Sequence, residues 1–165
     1  MKSMFNGAES FNSDISSWSV GKVTDFRNMF FQASRFNQSL SSWDTSSATR
    51  MGSMFAGASA FNGDISTWNV GKVTDFRFMF ERASQFNQDL SSWDTSFATD
   101  LSAMFLGAAA FNSDIISWSV GKMTDFRSMF FQARGKVTDF GSMFFQASQF
   151  NQSLSSWVSV QSGPK

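Results

Sequence analysis

The chain has 165 residues, enough for one domain with a core, and its 13 basic residues balance 13 acidic ones, so no net field draws nucleic acid or an anionic membrane surface. It holds 22 Phe, 10 Met and 6 Trp but no Cys, His or Tyr, which excludes a disulfide framework, a thiolate zinc site and nucleophilic triads that rely on imidazole or thiol. No run approaches the ~18 apolar residues of a membrane span, and the opening MKSMFNGAES lacks the apolar stretch of a signal peptide.

A Met-Phe pair recurs at Met4, Met29, Met54, Met79, Met104 and Met129, a period of 25 residues without a slip. Behind it follow a small residue (Ala8, Ala33, Ala58), a Phe-Asn pair (Phe11-Asn12, Phe36-Asn37, Phe61-Asn62), an Ile or Leu, and a Trp. A fixed period of this length predicts stacked units, each completing its neighbour's core. One solenoid domain over 1–165 is expected, with coils starting near 4, 29, 54, 79, 104 and 129. Met1 falls where Met51 and Phe76 fall in their repeats, so the chain starts in register, as a segment of a longer array would.

In the first coil, Ile15, Trp18 and Val20 have the LxxLxL spacing, which predicts a short strand over roughly 17–20 that ends at Gly21. From Val23 the apolar places, Phe26, Met29, Phe30 and Ala33, follow helical spacing. Thr24 is the expected cap of that short helix, and Asp25 would complement its dipole. Strands recurring once per coil in one direction must be parallel. Coils alternate in type: Gly21-Lys22, Gly71-Lys72 and Gly121-Lys122 in odd coils face Ser46-Ser47 and Ser96-Phe97 in even ones. This 50-residue super-period spaces the ammonium groups about 9.6 Å apart instead of ~4.8 Å.

The pattern breaks after Ala133, where the chain reaches the next Met-Phe, Met143-Phe144, only 14 residues after Met129. The expectation is a truncated coil over 129–142, with helices at about 124–133 and 138–147, the Trp118 strand pairing with the Trp157 strand, a last coil over 143–160 and a tail over 161–165.

The patterns FNxDIxxWxVxxVTDFxxMFxxA in odd coils and FNQxLSSWDTSxAT in even ones resemble the BspA-like leucine-rich repeat of bacterial and protist surface proteins, in its Trp-containing mycoplasma-lipoprotein form. The resemblance covers about residues 1 to 160. It implies an α/β fold, a right-handed leucine-rich-repeat solenoid with a parallel β-sheet on one face and short helices on the other, displayed at a cell surface or outside the cell for adhesion or protein binding.

Three rows invite a functional interpretation. Asn12, Asn37, Asn62, Asn87, Asn112 and Asn151 could line a ligand, but an internal ladder that satisfies turn backbone is favoured. Trp18, Trp43, Trp68, Trp93, Trp118 and Trp157 could stack on sugars or bases, but their place in LxxLxL points inward, and each indole N–H then needs an acceptor. Asp14, Asp64, Asp89 and Asp114 could supply oxygens to Ca²⁺, yet Ser39 and Ser153 replace them in two coils, so turn capping is preferred and no metal site is assigned.

The candidate binding face is the outward side of the expected sheet: Ser17, Ser42, Thr67, Ser92 and Ser117 in one row, Ser19, Asp44, Asn69, Asp94 and Ser119 in the next. No aromatic or Arg anchor is expected there. No catalytic constellation or cofactor loop is found, since carboxylates recur by symmetry and glycines are isolated. The function expected is a non-enzymatic binding or adhesion module whose partner is a protein or glycan. The alternatives are a structural subunit that self-associates end to end through uncapped ends or docks as a scaffold on a larger assembly and, third, an ice-binding surface.

Overall fold

The computed structural model describes residues 1–115, 117–119 and 121–130. Within them the chain does wind as equal coils laid one on another, but the expected α/β architecture is not what builds them. Among the described residues there is no helix, and strand pairing shrinks to single parallel bridges, Asp25 with Arg50, Arg50 with Asp75, Asp75 with Asp100 and Asp100 with Asp125. The truncated coil beyond Phe130, the helix at 138–147, the Trp118–Trp157 pairing, the last coil and the tail lie outside the described residues.

Where a helix was expected from Val23 on, the chain is a run of tight turns. Alternate amides reach the next coil: the N–H of Phe26 donates to the carbonyl of Arg50 at 3.0 Å, Asn28 to Gly52 at 3.1 Å, Phe30 to Met54 at 2.8 Å and Gln32 to Ala56 at 2.7 Å. The amides between them close turns inside the coil, Met29 to Phe26 at 3.1 Å, Phe31 to Asn28 at 3.2 Å and Ala33 to Phe30 at 3.0 Å. In this run about half of the backbone bonds are local and half span coils, a division that neither a helix nor a sheet would give.

The backbone dihedrals give the reason. Asn28 and Gln32 both have φ of 57°, and the same two places in other coils, among them Ser53 with Gly57 and Phe78 with Arg82, are also left-handed. A right-handed helix needs negative φ throughout, so two left-handed residues four apart interrupt it at once. Successive turns repeat every three or four residues, as a helix does, and so the apolar spacing of Phe26, Met29, Phe30 and Ala33 carries both. The expected helix at 124–133 fails the same way over 124–130, which form turns around Asp125. Thr24 caps nothing: its carbonyl accepts the Thr49 N–H at 2.9 Å and the Thr49 hydroxyl at 3.1 Å, a ladder continued through Thr74, Thr99 and Thr124.

The expected strand at 17–20 is absent, and turns close on both sides of it. The Trp18 N–H closes a turn on Ile15 at 3.1 Å and Val23 one on Val20 at 2.8 Å. Side chains link the coils there instead: the Ser42 hydroxyl donates to the Ser16 carbonyl at 2.7 Å and the Trp43 indole N–H to the Ile15 carbonyl at 3.1 Å. In even coils Thr45 and Thr95 bond forward, to the carbonyls of Asn69 at 2.9 Å and Ser119 at 3.1 Å, whereas the first two odd coils place Val20 and Val70 there, buried.

Inside, like rings meet like. Phe5, Phe30, Phe55, Phe80, Phe105 and Phe130 form one ladder with centroids 5.4 to 5.7 Å apart and planes within 8°. Phe11, Phe36, Phe61, Phe86 and Phe111 form a second, 5.7 to 6.1 Å apart. Within each coil the two ladders touch face to face, as Phe55 does with Phe61 at 3.9 Å. Centroid steps longer than the ~4.8 Å spacing of hydrogen-bonded chains mean that successive rings slide past one another, the offset stacking that aromatic quadrupoles favour.

Glycine alternates with longer side chains at the second left-handed place: Gly7, Gln32, Gly57, Arg82, Gly107. A Cβ on Gly57 would lie 3.2 Å from Gln32 Cγ and 3.4 Å from Gln32 Cα, whereas one on Gly7 would meet nothing within 4 Å. Gly57→Ala should therefore lose about 2 kcal/mol in urea unfolding and Gly7→Ala about 1 kcal/mol, since both bear the left-handed penalty and only one the contact. Equal losses would show that the contact relaxes freely.

Trp43, Trp68, Trp93 and Trp118 are buried, while Trp18, on the first coil, is 37% exposed. Trp68→Ala is expected to cost about 3 to 5 kcal/mol and Trp18→Ala clearly less. A loss below 1 kcal/mol for Trp68→Ala would contradict its place in the core.

Candidate functional site

All ten residues of the candidate face, Ser17, Ser19, Ser42, Asp44, Thr67, Asn69, Ser92, Asp94, Ser117 and Ser119, are exposed. They lie on no sheet, so the flat strand surface expected for them is replaced by two rows of turn residues held in line by the coil register. One row has its donors committed: the hydroxyls of Ser42, Thr67, Ser92 and Ser117 donate to the carbonyls of Ser16, Ser41, Ser66 and Ser91 at 2.6 to 2.8 Å. That row therefore offers oxygen lone pairs outward, not hydroxyl protons.

The second row carries the charge. Asp44 Oδ1 accepts the Ser46 N–H at 3.0 Å and Asp94 Oδ1 the Ser96 N–H at 2.9 Å. Asp44 is held below the ordinary carboxylate range by the Ser46 hydroxyl, then by the Ser46 N–H, with Lys72 adding a smaller attraction. Asp94 is lowered by the Ser96 N–H, then the Ser96 hydroxyl, and again by a lysine of the next coil, Lys122. In both cases the lysine one coil on adds the smallest of these influences, a weak attraction across solvent that accords with the 50-residue alternation. The glycines make room for the carboxylates: a Cβ on Gly21 would stand 2.8 Å from Asp44 Oδ2, and one on Gly71 3.3 Å from Asp94 Oδ2.

One anchor of this face escaped the sequence analysis. Phe97 is 53% exposed, and the Lys122 ammonium sits 3.8 Å from its ring centroid. Its signal was legible in the repeat, because Phe97 stands where Ser47 stands one super-period earlier.

The asparagines form a ladder that is exposed, not internal as expected. Asn12 Oδ1 accepts the Asn37 N–H at 2.9 Å, Asn37 that of Asn62 at 2.8 Å, Asn62 that of Asn87 at 2.9 Å and Asn87 that of Asn112 at 2.8 Å. Gln38 and Gln88 add side-chain bonds to Asn12 and Asn62. The N–H groups of the buried tryptophans find the acceptors they need, carbonyls 28 residues back: Ile15, Leu40, Ile65 and Leu90 for Trp43, Trp68, Trp93 and Trp118. Asp14, Asp64 and Asp89 cap turns through the amides of Ser16, Ser66 and Ser91 at 2.9 Å. Asp114 is exposed, and Asn151 and Trp157 lie outside the described residues. Among the described residues no three His, Cys, Asp or Glu side chains gather where a metal ion could sit, and no helix is long and apolar enough to cross a membrane.

A separate charged ridge runs along the bridge residues. Arg27 forks onto Asp25 with Nε–Oδ1 of 3.0 Å and Nη2–Oδ2 of 2.6 Å, and Arg127 repeats this on Asp125. Asp75 and Asp100 are bridged neighbours of like charge, and Arg77 serves both, 3.0 Å from Asp75 Oδ2 and 3.7 Å from Asp100 Oδ2.

Stacked turn-built coils, ladders of like side chains and rows of committed polar groups define a repeat protein in which every recurring residue serves the stack first. The chain belongs to the family described as "Mycoplasma protein of unknown function, DUF285", which matches residues 1–63, 42–136 and 134–162, a family related to BspA-like repeats. Neither the curated proteins nor the solved structures contain a match to it.

The Arg27 side chain, more than any other group, drops Asp25 from its ordinary 3.8 to about 2. A carboxylate lowered on folding contributes stability above its unfolded pKa and loses it as pH falls through its folded one. Urea unfolding midpoints should therefore fall between pH 4 and 2, and Asp25→Asn should flatten that fall while costing stability above pH 5. Parallel pH profiles for the two proteins would remove Asp25 from the account.

Proposed function

We propose that this protein is a non-enzymatic binding module that engages an extracellular protein or glycan through the rows at Ser17–Ser19 and their counterparts in later coils. The observation that carries the proposal is the arrangement of the face: ten exposed residues in two rows, with the hydroxyl donors of Ser42, Thr67, Ser92 and Ser117 turned along the stack and acceptors, amides and charges left outward. Groups already bound to their own scaffold are preorganised, so little side-chain entropy is lost when a partner arrives. The resemblance to BspA-like surface repeats supports the same use. The carboxylates recur by register instead of meeting at one point, where a catalytic site would gather them.

The test is retention of the full chain on immobilised oligosaccharides and extracellular-matrix proteins. Ser19→Arg, Asn69→Arg and Ser119→Arg together place three bulky cations on the face and should abolish retention with unfolding in urea little changed. Arg35→Glu with Gln85→Glu, exposed substitutions away from these rows, should leave retention intact. Loss of retention in the second variant and not the first would move the binding surface elsewhere.

A further inference from the structure

The outer face of the first coil is unfinished in a way that specifies what would complete it. Met4 is 52% exposed and Trp18 37%, whereas Met29 and Trp43, their equivalents one coil on, are buried. Phe5 and Phe11 are half-buried where Phe30 and Phe36 are enclosed. The carbonyls of Lys2, Met4 and Asn6 stand where those of Arg27, Met29 and Phe31 accept the N–H groups of Ser3, Phe5 and Gly7, yet among the described residues nothing donates to them. The Trp18 indole N–H likewise lacks the carbonyl that each later buried tryptophan finds 28 residues back.

Gly7 shows which type of coil belongs on this face. At every boundary between described coils the second left-handed place sets glycine against a long side chain: Gly7 and Gln32, Gln32 and Gly57, Gly57 and Arg82, Arg82 and Gly107. Where glycine comes second, the long side chain of the coil before it fills the room. A Cβ on Gly57 would lie 3.2 Å from Gln32 Cγ, and one on Gly107 3.4 Å from Arg82 Cγ. The same room at Gly7 holds nothing within 4 Å. An even-type coil, with Gln or Arg at that place, fits this face; an odd-type coil would leave the room empty.

The chain carries such a sequence beyond its described coils. Residues 143–157 read MFFQASQFNQSLSSW, identical to the even coil at 29–43 except for Gln149 in place of Arg35, and no further Met-Phe pair follows them. They lie outside the described residues and match by sequence alone, up to Trp157, with Val158 where Asp44 stands. In the stack, 29–43 is followed by the odd coil MFAGASAFNGDISTW at 54–68, whose counterpart in the first coil is MFNGAESFNSDISSW at 4–18. The contacts that join those two coils all have residues to repeat them. Gln146 corresponds to Gln32, which packs on Gly57; Phe144 and Phe150 correspond to Phe30 and Phe36, which stack on Phe55 and Phe61. Leu154 corresponds to Leu40, whose carbonyl accepts the Trp68 indole N–H at 2.9 Å.

We propose that copies of this chain associate head to tail, residues 143–157 of one copy completing the outer face of the first coil of the next in the register of the stack. Equal numbers of basic and acidic residues leave the copies without net repulsion. The two surfaces differ, so the contact is heterologous and can propagate into longer stacks.

Sedimentation of the full chain over a wide concentration range reads the association. The wild type should run as a monomer when dilute and as dimers and longer species when concentrated. Gly7→Arg sets two long side chains against each other, which no described boundary does, and should weaken association roughly tenfold or more through overpacking, with a dilute urea midpoint no lower than that of Gly7→Ala. Met4→Asp, at a side chain already half exposed, should weaken it as well. Adding Gln146→Gly to Gly7→Arg sets glycine against a long side chain again and should restore association. Gln146→Arg alone, which repeats Arg82 against Gly107, should leave it as in the wild type. A monomer at every concentration overturns the proposal, as does association that Gly7→Arg and Met4→Asp leave unchanged. Association lost in Gly7→Arg and still absent in the double variant overturns the pairing of Gly7 with Gln146, and the register with it.

Discussion

The structure depends on one recurring hydrogen bond, from an amide in the turn segment to the carbonyl 24 residues later. It runs from Ser3, Phe5 and Gly7 to Arg27, Met29 and Phe31, then from Phe26, Asn28, Phe30 and Gln32 onto the next coil, and so on to Phe105. Each bond is worth only about 1 kcal/mol net, but its direction and constant span admit a single register. Once that register holds, residues 25 apart must touch, and ladders of Phe, Trp, Thr and Asn follow. A one-residue slip would place Phe30 against Ala56 in place of Phe55 and break every ladder at once.

Why turns, and neither strands nor helices, fill the coils follows from the same accounting of amides. A strand would expose alternate N–H groups to the next coil along its whole length; a helix would keep all of them to itself. The turn run does each with half of its amides, and left-handed residues such as Asn28 and Gln32 are the conformational cost. Near the tryptophans the amides close on their own coil, and side chains supply the connections between coils. Ser42 and Trp43 reach back while Thr45 reaches forward, so even coils bind both neighbours.

The 50-residue alternation acts at three places together. Glycine faces Gln or Arg at the left-handed place, Val alternates with Thr beside the tryptophans, and Lys of one coil weakly attracts Asp of the coil before it on the exposed rows. Steric fit, hydrogen bonding and charge thus agree on which coil follows which. Agreement of that kind separates the native stack from shifted ones. It also leaves the exposed rows free to vary at single positions, as Phe97 does, without disturbing the interior.

From the sequence alone one could read the period, that most of the recurring apolar residues are interior and that the tryptophan N–H groups need acceptors, because burial follows apolar spacing whatever the backbone does. The secondary structure was not legible. Phe26, Met29, Phe30 and Ala33 have the same spacing in a helix and in a chain of turns, and only the dihedrals of Asn28 and Gln32 separate the two. Nor could spacing show that the Asn row is exposed or that the Ser42 row spends its donors on the neighbouring coil. Those facts belong to contacts between residues 24 to 28 apart, which exist only once the coils are stacked.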